Sequence, residues 1–224
     1  MKYLIANWKS TKNIQEAINW VVEFNSLLKK NTQVKNSLDS DDLKIIICPS
    51  IHLLSTLKEN IFGHKNINIG AQDVSFFEQG NYTGEVSAQN LKDLIEYSIV
   101  GHSERRKYLK ETDNIIDQKI AILKDYSIEP ILCVRDEKDL IPKEARFIAY
   151  EPVYAIGTGK NESLKDVLIS KAKISPKLNS IFIYGGSVSP ENVQEYSNSS
   201  EIHGFLVGTA SKDPESFIQI ASKL

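Results

Sequence analysis

Eight short runs of apolar and β-branched residues recur along the chain, and they predict β-strands. Between most of them, apolar residues return with helical spacing, which predicts amphipathic helices. The predicted strands are Tyr3–Trp8, Lys44–Cys48, Ile67–Ala71, Ser98–Val100, Pro130–Val134, Phe147–Tyr150, Ser180–Tyr184 and Phe205–Val207. The predicted helices are Ile14–Leu28, Asn90–Leu94, Ile115–Lys124, Leu164–Lys173 and Glu215–Leu224, and helix-start signals stand at Ser163, Ser189-Pro190 and Asp213-Pro214.

This alternation predicts a parallel sheet coated by helices. The strands are nearly continuously apolar, which indicates burial on both faces, and eight units favour a closed (β/α)8 barrel. An open doubly wound sheet would give the same alternation, but its glycine-rich dinucleotide fingerprint is missing after the first strand, where Asn7-Trp8-Lys9-Ser10 stands. We therefore expect residues 1–224 to form one barrel domain.

Two connections between predicted elements are unusual in length. Asn31–Asp42 is polar enough to be predicted as a long exposed connection. Cys133 and Glu151 lie so close in sequence that the helix after the fifth strand is predicted to be shortened, to little more than Asp136–Pro142. We expect this shortening to cost stability but to leave activity intact.

Composition and charge argue against several classes of function. With 27 basic and 29 acidic residues the net charge is -2, and no basic block is present that could neutralise nucleic-acid phosphates. Polar residues interrupt Met1–Lys9 too early for a signal peptide, and no run is long enough to span a membrane, so we expect a cytoplasmic protein. Cys48 and Cys133 lie in apolar strands and are expected to be reduced core thiols without a metal.

Polar residues and glycines follow the strands, at the end of a barrel where active sites lie. Glu151 follows the sixth strand, where a lone glutamate is more often a helix cap or an ion-pair partner. Gly157 and Gly159 favour a functional role, because they could give the next segment the backbone freedom of a closing lid. His102 precedes a predicted helix, whose positive end would disfavour the imidazolium, so a neutral ring could polarise a carbonyl group. A lone Lys9 would normally be a solvated charge.

Taken together, these motifs resemble those of the triosephosphate isomerase family over essentially the whole chain. Ala149–Lys160 resembles the catalytic-base and lid motif, Val100–Arg106 the histidine motif, and Asn7-Trp8-Lys9 the opening motif. The resemblance implies a (β/α)8 TIM barrel that acts in glycolysis and gluconeogenesis. It also implies an isomerase that interconverts D-glyceraldehyde 3-phosphate and dihydroxyacetone phosphate through an enediolate, with neither cofactor nor metal.

The resemblance also implies roles for particular residues. Glu151 is the general base, His102 and Lys9 are electrophiles, and Asn7 stands beside them. Glu104, Arg105 and Arg106 resemble supporting ion pairs. The residues implied for phosphate binding are Gly157, Ser187, Gly208 and Thr209. The implied lid is Pro152, Val153, Tyr154, Ala155, Ile156, Gly157, Thr158, Gly159 and Lys160, with Ile156 and Leu206 as the apolar cover of the base. Thr83, in the loop after the third strand, is expected to reach the neighbouring subunit of a homodimer.

Two departures from the family pattern bear on these expectations. Tyr154 stands where the family usually has tryptophan, and Thr209 replaces the second glycine of a pair. If the Thr209 position needs a positive φ, a β-branched residue there is strained. The alternatives are another phosphate-binding barrel enzyme, such as an epimerase or lyase, and a non-catalytic barrel scaffold. A metal-dependent epimerase would need ligands on several strands, whereas only His102 of the four histidines is expected at the barrel mouth.

Overall fold

Eight parallel strands close into a barrel in chain order. The computed structural model describes residues 1–61, 63–152, 161–174 and 180–224. The strands are β1 (Lys2–Asn7), β2 (Leu43–Cys48), β3 (Ile67–Ala71), β4 (Tyr97–Val100), β5 (Glu129–Val134), β6 (Phe147–Tyr150), β7 (Ile181–Tyr184) and β8 (Gly204–Val207). β8 closes the ring against β1, with Leu4 opposite Phe205. The predicted (β/α)8 barrel is confirmed, and every strand boundary lies within one residue of its prediction.

Helices pack around the outside of this barrel. In the described ranges they are α1 (Ile14–Lys30), α2 (Thr32–Asp39), α3 (Leu54–Asn60), α4 (Ala88–Leu91), α5 (Ser103–Tyr108), α6 (Asp113–Asp125), α7 (Leu164–Ile174), α8 (Val193–Ser197) and α9 (Pro214–Ala221). Two predicted start signals are confirmed. Asp213 caps α9, with Pro214 as its first residue, and the Ser163 hydroxyl accepts the N–H of Asp166 at the start of α7.

Two predictions about helices are wrong. Asn31–Asp42 is predicted as an exposed connection, but it contains α2, which Asn31 caps by accepting the N–H of Val34. Val34 and Leu38, one turn apart, are the buried residues of this polar helix, and Asn66 also donates a hydrogen bond to the carbonyl oxygen of Leu38. Ser189-Pro190 lies in a turn, and α8 begins only at Val193.

The connection between β5 and β6 contains no helix, so the predicted shortened helix is also wrong. Residues 135–146 form turns instead. Asp139 accepts the backbone N–H of Arg135 at 2.7 Å and binds its guanidinium through contacts of 2.6 to 3.2 Å. This clamp holds the chain in a tight turn, and Pro142 beyond it has no N–H to donate to a helix.

Buried apolar side chains form two layers, one inside the barrel and one between strands and helices. The inner layer is made of alternate strand residues: Ile5, Ile46, Cys48, Tyr97, Ile99, Ile131, Cys133, Phe147, Ala149, Ile181, Ile183 and Leu206. In the outer layer, Trp20 of α1 stacks on Phe24 at 4.9 Å and meets Trp8 edge-on at 4.8 Å. Both cysteines are buried free thiols, as predicted.

Candidate active site

A cleft of about 420 Å³ opens at the carboxyl ends of the strands. The predicted site residues that line it are Asn7, Lys9, His102, Glu151, Ser187, Gly208 and Thr209. They follow or end five different strands, so the parallel barrel brings them together from distant parts of the sequence. Pro152 directly follows Glu151 and is buried, whereas the rest of the predicted lid, Val153, Tyr154, Ala155, Ile156, Gly157, Thr158, Gly159 and Lys160, lies outside the described residues.

Glu151 places a buried carboxylate at the floor of this cleft. Its backbone N–H donates to Val134 at 2.8 Å, which continues the pairing of β5 and β6 by one residue. Burial raises the pKa of Glu151, but the charge and hydrogen bond of His102, the N–H of Ser103 and the charge of Lys9 lower it more. The pKa of this carboxyl therefore lies below its ordinary value, and the group is ionised at neutral pH.

Glycine is required opposite the carboxylate, at the end of β7. A Cβ atom on Gly185 would lie 3.0 Å from Cγ of Glu151 and 3.1 Å from the carbonyl oxygen of Tyr150. The N–H of Gly185 donates to that same carbonyl at 2.8 Å. Leu206 also lines the cleft and is buried, and its role as apolar cover of the base stays a prediction.

His102 is oriented by the helix that it caps. Its Nδ1 atom accepts the backbone N–H of Glu104 at 3.2 Å, so the proton of the neutral ring sits on Nε2. Nε2 lies 2.9 Å from Oε1 of Glu151, while Oε2 of Glu151 accepts the N–H of Ser103 at 3.1 Å. Ser103 could not be identified from the sequence, because it contacts Glu151 through its backbone N–H and not through its side chain.

The charge state of His102 differs from the expectation based on the helix end alone. Burial lowers the pKa of His102, but the charge and hydrogen bond of Glu151 and the charge of Glu104 raise it more, so the net direction is upward. The helix end favours a neutral ring, whereas the adjacent carboxylate favours a charged one. The upward shift in the pKa of His102 therefore comes from its two neighbouring carboxylates, Glu151 and Glu104.

The turn before His102 is held by the predicted ion-pair residues. Gly101 has a φ of 68°, and Nε of Arg106 donates to its carbonyl oxygen at 2.8 Å. Arg106 is buried and also pairs with Asp113 at 2.6 Å. Arg105 pairs with Asp73 at 2.7 Å. Both arginines therefore form ion pairs beside the cleft, and their supporting role in the reaction stays a prediction.

Lys9 has a left-handed backbone, with a φ of 53°. This conformation costs of the order of 1–3 kcal/mol in a residue with a side chain. Three side chains hold it in place: Oδ1 of Asn7 accepts the Lys9 N–H at 3.0 Å, and Ser50 and Gln72 both donate to its carbonyl oxygen at 2.9 Å. The ammonium group contacts Glu104 at 2.6 Å. Sequence reasoning misses Ser50 and Gln72 because their contacts join distant loops.

The loops after β7 and β8 form the opposite wall of the cleft. Asn192 donates to the carbonyl oxygen of Ser187 at 2.8 Å and fixes the first loop. Thr209 begins a short 3₁₀ helix, Thr209–Lys212. Among the described residues, the positive φ values outside glycine are at Lys9, Asp41, Lys110 and Ser127. Thr209 is not one of them, so the condition under which it would be strained is not met.

Thr83 lies away from the cleft, in the exposed tip of the loop after β3. The loop is stiffened from within, since Phe77 contacts Phe76 at 4.0 Å and stacks on Tyr82 at 4.1 Å. Gly84, next to Thr83, has a φ of 95° and permits the turn. The tip therefore projects as an ordered feature with Tyr82 half exposed.

Neither a metal site nor a membrane span is found in the part of the chain that the structure describes. No three His, Cys, Asp or Glu side chains within the described ranges are grouped so that they could hold a metal ion. None of the helices in those ranges combines the length and apolar character needed to cross a bilayer.

Comparison with known proteins gives one consistent result. The triosephosphate isomerase family profile matches residues 2–224. The chain is 34% identical to the triosephosphate isomerase of Mesomycoplasma hyopneumoniae (strain 232) over 243 aligned positions, which cover 98% of each chain. It is 34% identical to that of Aquifex aeolicus over 251 positions, again with 98% of each covered. It is 37% identical to that of Thermus thermophilus over 249 positions, covering 96% of this chain and 95% of the relative.

Proposed function

Because the chain belongs to the triosephosphate isomerase family and is an isomerase of triose phosphates, we propose a role for each site residue in that reaction. The observation that carries the proposal is the pairing of a buried ionised carboxylate, Glu151, with an imidazole whose Nε2 faces the same cleft. The family match does not favour the epimerase, lyase or scaffold alternatives.

Glu151 removes a proton from the carbon next to the substrate carbonyl and returns it to the neighbouring carbon. To do so, the carboxylate exchanges its contact with His102 for one with the substrate. The apolar surroundings formed with Leu206 keep it poorly hydrated, which strengthens a carboxylate as a base.

His102 and Lys9 stabilise the negative charge that develops on the substrate oxygens. When Glu151 turns to the substrate, the contribution that raises the pKa of His102 weakens, and the neutral ring donates Nε2–H to an oxygen. Lys9 supplies a fixed positive charge, oriented by its constrained backbone and by Asn7. A glutamate base and a neutral histidine electrophile are the known division of roles in this enzyme class, carried over here to Glu151 and His102.

The substrate phosphate binds against the wall formed by Ser187, Gly208 and Thr209. Their position supports this, since loops after the seventh and eighth strands of such barrels often bind phosphate. Pro152 to Lys160 closes over the bound substrate, with Gly157 contributing to the phosphate contacts. The glycines of that segment and the resemblance of its sequence to the family motif support this part of the proposal.

A homodimer and a cytoplasmic location complete the proposal. The exposed loop tip at Thr83 supports association between two subunits, and so do the exposed side chains of Tyr108 and Leu109. A second cleft of about 500 Å³, which includes Ser10 and Gln72, offers a place for a neighbour to dock. Gln72 also donates to the carbonyl oxygen of Lys9, so a neighbour docked there would brace the catalytic backbone. Sedimentation velocity should give a dimer for the wild type and a monomer for Thr83→Glu. A monomeric wild type would refute the homodimer.

The direct test compares the wild type with Glu151→Asp, because the shorter side chain moves the base but keeps its charge. Conversion of glyceraldehyde 3-phosphate is measured with a chelator present, together with incorporation of solvent deuterium. We expect turnover in the wild type and a loss of about 10²-fold or more in the variant.

Glu23→Asp is the matched control, because Glu23 is an exposed residue of α1. It should retain full turnover. Equal turnover in Glu151→Asp and the wild type would refute the role of Glu151, and a wild type without turnover would leave the scaffold as the better description.

A further inference from the structure

Glu162 is a buried acidic residue that the reaction scheme above does not use. Its Oε1 atom accepts a hydrogen bond from the hydroxyl of Tyr150 at 3.0 Å. Its backbone N–H donates to the hydroxyl of Tyr184 at 3.2 Å, and its carbonyl oxygen accepts from Tyr196 at 2.5 Å. One residue is thus tied by its side chain and by both backbone groups to three tyrosines.

These tyrosines belong to the elements that build the active site. Tyr150 is the last residue of β6 and directly precedes Glu151. Tyr184 ends β7 and directly precedes Gly185, whose N–H donates to the carbonyl oxygen of Tyr150. Glu162 itself follows residues 153–160 by two positions. It therefore links the strand of the base, the strand of the phosphate wall and the chain beyond the predicted lid.

The link runs on the outer side of the barrel. Tyr150 and Tyr184 belong to the apolar layer between strands and helices, whereas Glu151 faces the cleft. Glu162 is not among the residues that line the cleft. Any effect of Glu162 on the reaction must therefore be indirect, through the strand ends that carry Tyr150 and Tyr184.

Keeping a carboxylate in this place is costly unless it is needed. Glu162 has only 8% of its surface exposed, so its carboxyl group has lost most of its hydration, and hydrogen bonds such as the one from Tyr150 offset part of that cost. An apolar side chain would fill the space between the tyrosines without this cost. The hydrogen bond from Tyr150 is a contact that such a residue could not make.

We propose that Glu162 is a positioning residue for the isomerisation: its buried carboxylate, through the hydroxyl of Tyr150, holds the end of β6 that carries Glu151. Its backbone groups anchor the chain after residue 160 against β7 and α8. The inference rests on the proposed role of Glu151 as the base. It predicts that the carboxylate affects the chemical step more than substrate binding.

The test measures kcat and KM for glyceraldehyde 3-phosphate in the wild type, Glu162→Ala, Glu162→Gln, Tyr150→Phe and the double variant Tyr150→Phe/Glu162→Ala. Glu162→Ala and Tyr150→Phe should each lower kcat about 10-fold with little change in KM, since a small displacement of the base slows the chemistry. Glu162→Gln should restore most of kcat, because its amide oxygen can accept the same bond. The Tyr150 hydroxyl also has a hydrogen bond with Ser170, so the double variant is compared with Tyr150→Phe. It should be no slower than Tyr150→Phe alone, because that variant already lacks the bond between Tyr150 and Glu162.

Ser163→Ala is the control for a purely structural effect. It removes the cap of α7 one residue further on, so it should lower the urea midpoint without lowering kcat. The proposal is overturned if Glu162→Ala behaves in the same way, or if the effects of Glu162→Ala and Tyr150→Phe on kcat multiply. Should Glu162→Ala fail to fold, Tyr150→Phe still decides, because it removes only the hydroxyl. Turnover of the wild type and of Glu151→Asp tests the proposed function separately.

Discussion

Nε2 of His102 and Oε1 of Glu151 lie 2.9 Å apart, so the proposed electrophile and the proposed base share a hydrogen bond. Each group shifts the pKa of the other in the direction that stabilises a charged pair. A proton taken up by the pair therefore sits mainly on His102, while Glu151 remains ionised. The pair titrates as a unit, and its first protonation removes the neutral ring that the proposed mechanism requires.

We expect kcat/KM to fall on the acid side with a pKa above 6.5, the ordinary value for histidine. The sign follows from the raised pKa of His102, because the neutral ring is lost as the pH falls through that value. The measurement is the pH profile of kcat/KM, corrected for ionisation of the substrate phosphate.

His102→Gln tests whether His102 is the group that causes the fall of kcat/KM in acid. The variant should lose about 10²-fold or more in kcat, and the acid limb above 6.5 should disappear with the imidazole. An unchanged limb in the variant would assign it to a group other than His102.

Thr209→Gly should not improve the enzyme, although it restores the glycine pair of the family. Thr209 has no positive φ, so glycine relieves no strain and only adds freedom to the unfolded chain. We expect a loss of about 0.4–1 kcal/mol in the free energy of unfolding, with kcat and KM close to wild type. Urea unfolding and steady-state kinetics check this, and a clear gain in kcat would show that the threonine constrains the loop after all.

Asp139→Asn should weaken the clamp that closes the β5–β6 connection. Burial raises the pKa of Asp139, but the hydrogen bonds of Arg135 and the charge of Arg106 lower it more, so the net pKa is below its ordinary value. Its stabilising contribution is therefore present above the unfolded pKa of 3.8 and is lost as the pH falls through the folded value.

We expect Asp139→Asn to lose about 1–2 kcal/mol of unfolding free energy at neutral pH, and the difference from the wild type to shrink in acid below the ordinary carboxyl range. Activity at neutral pH should be retained, since no residue of 135–146 lines the cleft. Urea titrations at the two pH values give the comparison. A variant that folds but has lost turnover would contradict this separation of stability from activity.

The two cysteines should be unreactive until the protein unfolds. Burial raises the pKa of both thiols, and the charge of Glu151 adds to this for Cys133. Ellman's reagent at slightly alkaline pH should detect no thiol rapidly in the folded protein and both in urea. Rapid reaction of one thiol in the folded protein would show that the inner layer of the barrel opens.

The strands could be predicted because burial on both faces leaves an unbroken apolar signature, as in Ile45-Ile46-Ile47-Cys48. α2 could not, since Val34 and Leu38 are its only two buried residues. The turns of residues 135–146 depend on the clamp between Arg135 and Asp139, which no local pattern reports.

The site residues could be placed by their position after each strand, but their supports could not. The left-handed backbone of Lys9 is held by Ser50 and Gln72, from two other loops. In the sequence Glu162 is an ordinary polar residue before a helix. Its contacts with Tyr150, Tyr184 and Tyr196 exist only in the folded structure. Contacts between distant segments decide both cases, and a local sequence pattern does not contain them.

The turns between β5 and β6 show that closure of the strand barrel does not require a helix at every connection. Hydrogen bonds close the ring only if all eight strands are present, since a missing strand would leave two edges. The missing helix leaves the pairing of β5 and β6 in place, and the outward-facing Val134 and Ile148 stay buried. Because residues 135–146 connect β5 and β6 without a helix and do not line the cleft, we expect this connection to accept an inserted or exchanged segment in an engineered variant.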